Sequence, residues 1–277
     1  MQATPRPDFP RSPHIIRLSA EVTEDAFDAP PRLEHPVWRN AFPWLIQGTT
    51  TAGHGSTPFD LGLFTGGAEP RVVREHWASL RRELRCGPLV HARQVHEATV
   101  RPFVGEADHA GPDDAPTSPL VQADCDGHVT DQPGVVVSVA TADCIPVFVV
   151  DPERRAVAAL HAGWRGVVAG VLEVGLSTMR ESFGSEVSDL HVHLGPAICG
   201  RCYEVGPEVF EAVGLTAPDL PTPIDLREVV ADRARTLGVA NERLSVSTHC
   251  TRCTGSRLFS HRGGDPHRQI GYIGVRE

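Results

Sequence analysis

Aromatic residues are scarce in this sequence, at 6% of the chain, although hydrophobic residues make up 40%. A core can therefore form, but valine, leucine and alanine must supply most of its packing. The chain has no run approaching the roughly 20 apolar residues of a membrane-spanning helix. The segment Met1–Ile15 contains four prolines and no apolar stretch of signal-peptide length. These absences predict a cytoplasmic protein with no membrane partner.

Positive charge is also in short supply, because 26 basic residues stand against 35 acidic ones, a net charge of −9. Nucleic-acid binding depends on clustered lysine and arginine that neutralise phosphates, so this balance argues against a nucleic-acid partner. A small anionic substrate stays compatible with the composition, since it needs only a local basic pocket.

The chain length of 277 residues suits one large α/β domain, because single domains of that class reach about 250 residues. Residues 1–35 are rich in proline and charge, and we expect a flexible extension there, followed by a catalytic domain over 36–277. Seven cysteines are an odd number, and a chain of this length does not need disulfides. In a reducing compartment such cysteines are more often buried, metal-bound or catalytic.

Strand-like and helix-like patterns interleave along the chain. Continuous β-branched runs predict strands buried on both faces, and apolar residues at the helical period predict helices. The expected class is α/β or α+β, a single layered domain with mixed β-sheets flanked by helices. Residues 106–118 are acidic and contain proline and glycine, so we expect an exposed insertion. The predicted strands are 38–46, 89–95, 134–139, 147–150, 156–160, 190–194, 244–247 and 270–275, and the predicted helices are 70–84, 166–183, 207–213 and 226–237.

Three short motifs, Q-V-H, T-A-D-C and H-A-G-W-R-G, carry His96, Cys144 and His161 at or just past the ends of predicted strands. Side chains in such positions can converge at one edge of a sheet. Zinc prefers cysteine sulfur and histidine nitrogen, and catalytic zinc sites have three protein ligands and one open position. The three residues fit that inventory. Residue types and spacing alone nevertheless favour structural histidines and a buried cysteine.

Five motifs, taken in order, resemble those of the laccase-domain family, also called multicopper polyphenol oxidase or YfiH-type proteins. They are Q-V-H, T-A-D-C-x-P, H-A-G-W-R-G, G-P-A-I-C-G-R-C-Y-E-V-G and a late C-T followed by F-S-H-R. The similarity covers residues from about 40 to 277. Members are described as purine nucleoside phosphorylases and adenosine deaminases, and bacterial ones also as peptidoglycan-editing factors. The resemblance implies a YfiH-like fold and one zinc ion held by His96, Cys144 and His161.

The resemblance also implies phosphorolysis of adenosine, inosine, guanosine and methylthioadenosine, together with deamination of adenosine. The expected partners are therefore purine nucleosides and phosphate, bound by a monomer or homodimer. Arg165 and Arg262 are candidates for the phosphate site, the alternative being structural arginines paired with carboxylates. Asp143 is a candidate catalytic base, unless it orients a ligand or caps a turn. Tyr203 and His261 are candidate substrate contacts, although a core tyrosine and a surface histidine fit equally well.

Three other functions stay open at this point. A copper polyphenol oxidase would hold several coppers through many histidines, whereas only two of the 14 histidines lie in the ligand motifs. A peptidoglycan-editing or other cell-wall protein would use the motifs to hold a muropeptide-like ligand. A cysteine hydrolase would use Cys144 as nucleophile and His161 as base.

Two Cys-x-x-Cys pairs lie apart from the ligand motifs, at Cys199 and Cys202 and at Cys250 and Cys253. Paired cysteines of this kind often bind a structural zinc ion. The 47 residues between the two pairs are more than a zinc ribbon usually has. A second zinc, a disulfide and plain thiols therefore all stay open.

Overall fold

A computed structural model describes residues 15–19, 21–23, 30–53, 57–104 and 119–277. Strands and helices alternate irregularly along these residues. The strands are β1 (Ile16–Leu18), β2 (Glu21–Thr23), β3 (Arg32–Glu34), β4 (Leu45–Thr50), β5 (Leu89–Ala92), β6 (Val100–Pro102), β7 (Leu120–Gln122), β8 (Gly127–Thr130), β9 (Val136–Thr141), β10 (Ile145–Asp151), β11 (Ala156–Ala162), β12 (His191–Leu194), β13 (Glu204–Val205), β14 (Thr222–Pro223), β15 (Leu244–Ser247) and β16 (Gln269–Val275). The α-helices are α1 (Pro36–Ala41), α2 (Pro70–Leu84), α3 (Trp164–Ala169), α4 (Val171–Phe183), α5 (Pro207–Ala212) and α6 (Leu226–Thr236).

As far as these residues go, the strands form two mixed seven-stranded sheets and a small ribbon of β13 and β14. The first sheet has the order β1-β15-β12-β10-β11-β8-β6, and the second β2-β3-β4-β16-β9-β5-β7. Each sheet combines parallel with antiparallel neighbours, such as the parallel pair β12 and β15 and the antiparallel pair β10 and β11.

The core lies in layers between and around the sheets. Phe148 and Val150 of β10 face the second sheet, where they pack with Val137 of β9. Val147 and Val149, the alternate residues of β10, face helices α4 and α6. Helix α2 covers the other face of the second sheet through residues such as Trp77. The order helix, sheet, sheet, helix confirms the predicted class, and it explains why the central strands are apolar on both faces.

Several predicted elements need correction at their boundaries. The predicted strand 38–46 is wrong in its first half, because helix α1 occupies Pro36–Ala41 and β4 begins only at Leu45. His35 starts this helix, since its side chain accepts a hydrogen bond from the backbone N–H of Trp38. The predicted helix 166–183 is two helices, α3 and α4. They are separated by Gly170, whose φ of +83° ends α3.

Residues 1–35 are not a loose extension throughout, because parts of this segment join the sheets. β1 pairs in parallel with β15, and β3 pairs with both β2 and β4. Residues 1–14, 20 and 24–29 lie outside the described residues, as does the predicted insertion at 106–118. A domain boundary near residue 36 stays a prediction. No helix among the described residues has the length and apolar character needed to cross a membrane.

Candidate metal centre

The ends of three strands, β5 from the second sheet and the paired β10 and β11 from the first, bring the predicted ligands together. His96 lies on the loop that follows β5, Cys144 directly precedes β10, and His161 is the last residue but one of β11. Pro146 of β10 is paired with His161, so the start of β10 and the end of β11 coincide. The ligand atoms of the three side chains all lie within 4.8 Å of one another and can hold a metal ion. We call His96, Cys144 and His161 the ligand triad.

The backbone around the triad allows this close approach. The rings of His96 and His161 meet edge to face, with centroids 4.8 Å apart and planes at 81°. His96 has a φ of +62°, a left-handed conformation that is uncommon for residues other than glycine. Gly163 faces the triad, and a Cβ atom there would lie 3.0 Å from Sγ of Cys144 and 3.2 Å from Cδ2 of His96. Only glycine leaves this space to the ligands.

A buried aspartate that the sequence analysis did not single out organises the triad. Asp126 is fully buried just before β8, and its Oδ1 accepts a hydrogen bond from Nδ1–H of His161 at 2.9 Å. The same carboxylate accepts hydrogen bonds from the backbone N–H groups of Val95, His96 and Glu97 at 2.9–3.2 Å. Because Nδ1 of His161 carries the proton for Asp126, Nε2 is left for a metal.

The sequence contains little signal for Asp126. Its hydrogen-bond partners lie 29–35 residues away along the chain, and the aspartate stands in no motif with a ligand. An aspartate before a glycine usually indicates a turn. A buried carboxylate that receives four hydrogen bonds becomes visible only when the sheets are assembled.

The electrostatics of the triad favour a thiolate at Cys144. Burial raises the pKa of this thiol, but the charge of His161 and hydrogen bonds from both histidines outweigh it and lower the pKa below its usual value. Burial lowers the pKa of His161, yet the neighbouring Cys144 and Asp126 raise it overall. Without a metal, the pair is therefore stable as thiolate and imidazolium. A metal cation would take the place of the proton on Nε2.

The triad borders a cavity of about 270 Å³. Small-molecule sites commonly measure about 300–1,000 Å³, so a ligand of modest size suits this cavity. Each predicted site residue except His161 lines it, and His161 is buried behind the wall. The predicted residues that line the cavity are His96, Asp143, Cys144, Arg165, Tyr203, His261 and Arg262.

The two cavity arginines differ in how firmly they are held. Nη1 of Arg262 donates to the backbone oxygen of Glu204 at 2.7 Å, and its guanidinium lies 5.0 Å from the ring centroid of Tyr203. The guanidinium of Arg165 lies 4.4 Å from the ring centroid of Trp164. Among the described residues Arg165 has no hydrogen bond or ion pair, so its donors are available to an anion in the cavity. Burial raises the pKa of Tyr203 to about 12, which keeps its hydroxyl protonated as a donor.

Asp143 is engaged by the protein around it. Its carboxylate accepts hydrogen bonds from the hydroxyls of Thr251 and Ser260 and from the backbone N–H of Arg262. Its φ of +91° is strained for a residue other than glycine. Asp143 thus ties the turn before Cys144 to the loop of His261 and Arg262, which is the geometry of a positioning residue.

Comparisons with known proteins identify a matching family, similar enzymes and a similar structure. Residues 47–276 match the family described as multi-copper polyphenol oxidoreductase laccase. The chain is 33% identical over 263 residues to purine nucleoside phosphorylase YlmD of Geobacillus stearothermophilus, covering 85% of this chain and 92% of that protein. It is 37% identical over 150 residues to adenosine deaminase RL5 of an unknown prokaryotic organism, covering 50% and 56%. The crystal structure of the hypothetical protein YfiH of Bacillus licheniformis superposes with a TM-score of 0.77 at 26% identity, covering 92% and 99%.

Proposed function

Because the chain belongs to the multi-copper polyphenol oxidoreductase laccase family, we propose that it is a zinc-dependent purine nucleoside phosphorylase that also deaminates adenosine. The observation that carries the proposal is the convergence of the ligand triad within 4.8 Å beside a cavity that also holds two arginines. The relatives named purine nucleoside phosphorylase and adenosine deaminase supply the reaction classes. Adenosine, inosine, guanosine and methylthioadenosine are the proposed nucleosides.

The donor set of the triad suits zinc. Two imidazole nitrogens and one thiolate are ligands that zinc prefers, and three protein ligands leave one position for a reactant. Asp126 fixes the tautomer of His161 as metal-binding histidines require. When bound, zinc supplies Lewis-acid polarisation and activates water.

Copper oxidase chemistry fits the described residues less well. The two groups of described side chains that can hold a metal contain only two histidines, His96 and His161. On β12, the ring of His193 is buried and hydrogen-bonded to Ser245, and with His35 beside it belongs to neither group that can hold a metal. Several coppers with many histidine ligands would need more nitrogen donors than this arrangement offers.

In phosphorolysis, a phosphate oxygen forms a bond to C1′ of the ribose while the bond from C1′ to the purine nitrogen breaks. Arg165 offers free donors for the phosphate, and its planar guanidinium can bind two oxygens at once. The neutral hydroxyl of Tyr203 can donate to the purine or the sugar. Arg262 is held by Glu204 and by stacking on Tyr203, so we assign it to shaping the cavity and adding positive charge.

Deamination needs water rather than phosphate. The water oxygen forms a bond to C6 of adenine, and the amino group leaves as ammonia. His261 is exposed at the cavity wall, where its ring can form a hydrogen bond with the substrate. Asp143 is proposed to position this wall, since its hydrogen bonds are committed to Thr251, Ser260 and the backbone of Arg262.

A cysteine hydrolase is the second candidate, because one observation favours it specifically. Cys144, His161 and Asp126 form a chain of nucleophile, base and orienting carboxylate. In that function His96 would have no chemical role, although it is within ligand distance of the thiol. Alkylation of Cys144 separates the two functions: protection by added zinc supports the metal site, and equal reactivity with and without zinc supports the nucleophile.

The deciding experiment is incubation of pure protein with adenosine, with and without phosphate, followed by chromatography of adenine and inosine. Adenine that forms only with phosphate supports phosphorolysis, and inosine in either case supports deamination. Protein stripped of metal and reloaded with zinc or copper identifies the active metal. Absence of both products with zinc-loaded protein would overturn the proposal in favour of the cell-wall alternative.

A further inference from the structure

The two Cys-x-x-Cys pairs meet in space although 47 residues separate them. One pair lies on the loop that follows β12 and the other on the loop that follows β15, and these strands are parallel neighbours. The four sulfur atoms all lie within 4.8 Å of one another. We call these residues the cysteine quartet: Cys199, Cys202, Cys250 and Cys253.

The sulfur spacing matches a single tetrahedral ion. A zinc–sulfur bond of about 2.3 Å in a tetrahedron places the sulfurs about 3.8 Å apart. Sγ of Cys253 lies 3.8 Å from Sγ of Cys199 and 3.8 Å from Sγ of Cys202. A disulfide bond requires a sulfur–sulfur distance of about 2.05 Å. All four cysteines are free thiols. The quartet therefore already has the dimensions of a four-sulfur ion site.

The groups around the quartet stabilise cysteine thiolates. The backbone N–H groups of Cys199 and Arg252 donate to Sγ of Cys250 at 3.2 and 3.4 Å. Arg201 lies against Cys199, and Arg227 is close enough to Cys199 and Cys250 for its charge to act on them. Four thiolates around a divalent ion carry a net charge of about −2, which Arg201 offsets in part, whereas the charge of Arg227 is shared with Asp225.

We propose that the cysteine quartet binds a second zinc ion in a closed structural site, separate from the ligand triad. Four sulfurs fill the tetrahedron, so no position is open for a reactant. Each thiol gives up its proton when it binds the ion, and no oxidant or reductant is required. The proposal stands independently of the proposed function, because it concerns metal content and coordination alone.

The position of the quartet indicates what the ion would do. Tyr203, directly after Cys202, lines the cavity, and Thr251, directly after Cys250, donates to Asp143. The side chain of Arg252 reaches across to the backbone oxygen of Cys202 at 3.1 Å. An ion in the quartet fastens two loops that form one wall of the cavity, and so holds Tyr203 and the partner of Asp143 in place.

The test uses the full chain expressed with zinc and measures zinc per chain by mass spectrometry. We expect about two zinc ions in the unaltered protein and about one after His96→Ala with Cys144→Ser, because the quartet keeps its ion. X-ray absorption of that variant at the zinc edge should show four sulfur neighbours at about 2.3 Å and no nitrogen. Cys86→Ala is the control, since Cys86 is buried and belongs to neither group.

Removing the quartet gives the complementary result. Cys202→Ser with Cys253→Ser should halve the zinc content while the nitrogen and sulfur signal of the triad is retained. If this variant does not fold, the triad variant still decides the question. The proposal is overturned if the folded triad variant carries no zinc, carries iron in its place, or shows nitrogen or oxygen around its zinc.

Discussion

Nδ1 of His161 and Oδ1 of Asp126 are 2.9 Å apart, in a part of the protein from which solvent is excluded. The same carboxylate receives the backbone N–H of His96, so one acid positions two of the three ligands. Burial raises the pKa of Asp126, but these hydrogen bonds outweigh it and hold the pKa below its ordinary value. The carboxylate therefore stays ionised and keeps both ligands oriented before any metal arrives.

Replacing this carboxylate should loosen the metal site. In Asp126→Asn the side-chain nitrogen cannot accept backbone N–H groups, so the loop of His96 loses partners. We expect zinc affinity to fall about 10–100-fold, as is usual for such orienting partners. Competition with a chelator measures the change. Asp124→Asn, on an exposed neighbour paired with Arg93, is the control, and equal affinities in the two variants would contradict the assignment.

Adding one methyl group at Gly163 should also disturb the triad. The new Cβ in Gly163→Ala would lie 3.0 Å from Sγ of Cys144, and the ligands would have to move apart. Overpacking of this kind costs about 1–3 kcal/mol, so we expect weaker zinc binding by about tenfold or more. Gly66→Ala is the matched control, because nothing lies within 4 Å of its Cβ position. Unchanged zinc binding in Gly163→Ala would show that the ligands do not need this space.

The free guanidinium of Arg165 should matter for phosphate more than for water. Arg165→Met keeps the apolar stem but removes the charge, and hydrogen bonds to charged groups contribute about 1.5–3 kcal/mol. We expect the KM for phosphate to rise about tenfold or more, with adenosine deamination in phosphate-free buffer little changed. Arg165→Lys should restore part of the loss. Arg71→Met, on the exposed face of α2, is the control, and an equal loss of both activities would argue against a phosphate contact.

Acid should destabilise the protein through a buried histidine pair. Burial lowers the pKa of His35 to about 4 and that of His193 well below its usual value. The two rings meet edge to face, and the hydroxyl of Ser245 forms a hydrogen bond with each of them. Both rings are neutral in the folded and unfolded states above about pH 6.5. As the pH falls from about 6.5 to 4, only the unfolded state gains these protons. The free energy of unfolding then drops by about 1.4 kcal/mol per pH unit for each histidine.

Urea denaturation of the unaltered protein and of His35→Asn at several pH values tests this expectation. Asparagine can still cap helix α1 but does not titrate. Between about pH 6.5 and 4, the free energy of unfolding should therefore fall less steeply in the variant than in the unaltered protein. Above that range, the free energies of the two proteins should change with pH in parallel. Identical slopes in the two proteins would mean that His35 is protonated in the folded state.

Local patterns predicted much of the secondary structure. Helix α2 begins and ends where the apolar period of the sequence places it, at Pro70 and Leu84, and β15 spans Leu244–Ser247 as predicted. Both are set by neighbours along the chain, such as a proline in the first turn. The break at Gly170 was missed because the apolar period continues through it. Helix α1 was missed because its start depends on the side chain of His35.

The sequence by itself determined the layered α/β class, because periodicity is a local property, and it identified the ligand triad only through motifs that resemble those of a known family. Only the tertiary structure decided that Asp126 organises the triad and that the two cysteine pairs form one quartet. Those contacts join segments about 30 to 50 residues apart, and their geometry depends on how the strands pair. Strand order is a property of the packed sheets, which no short stretch of the chain encodes alone.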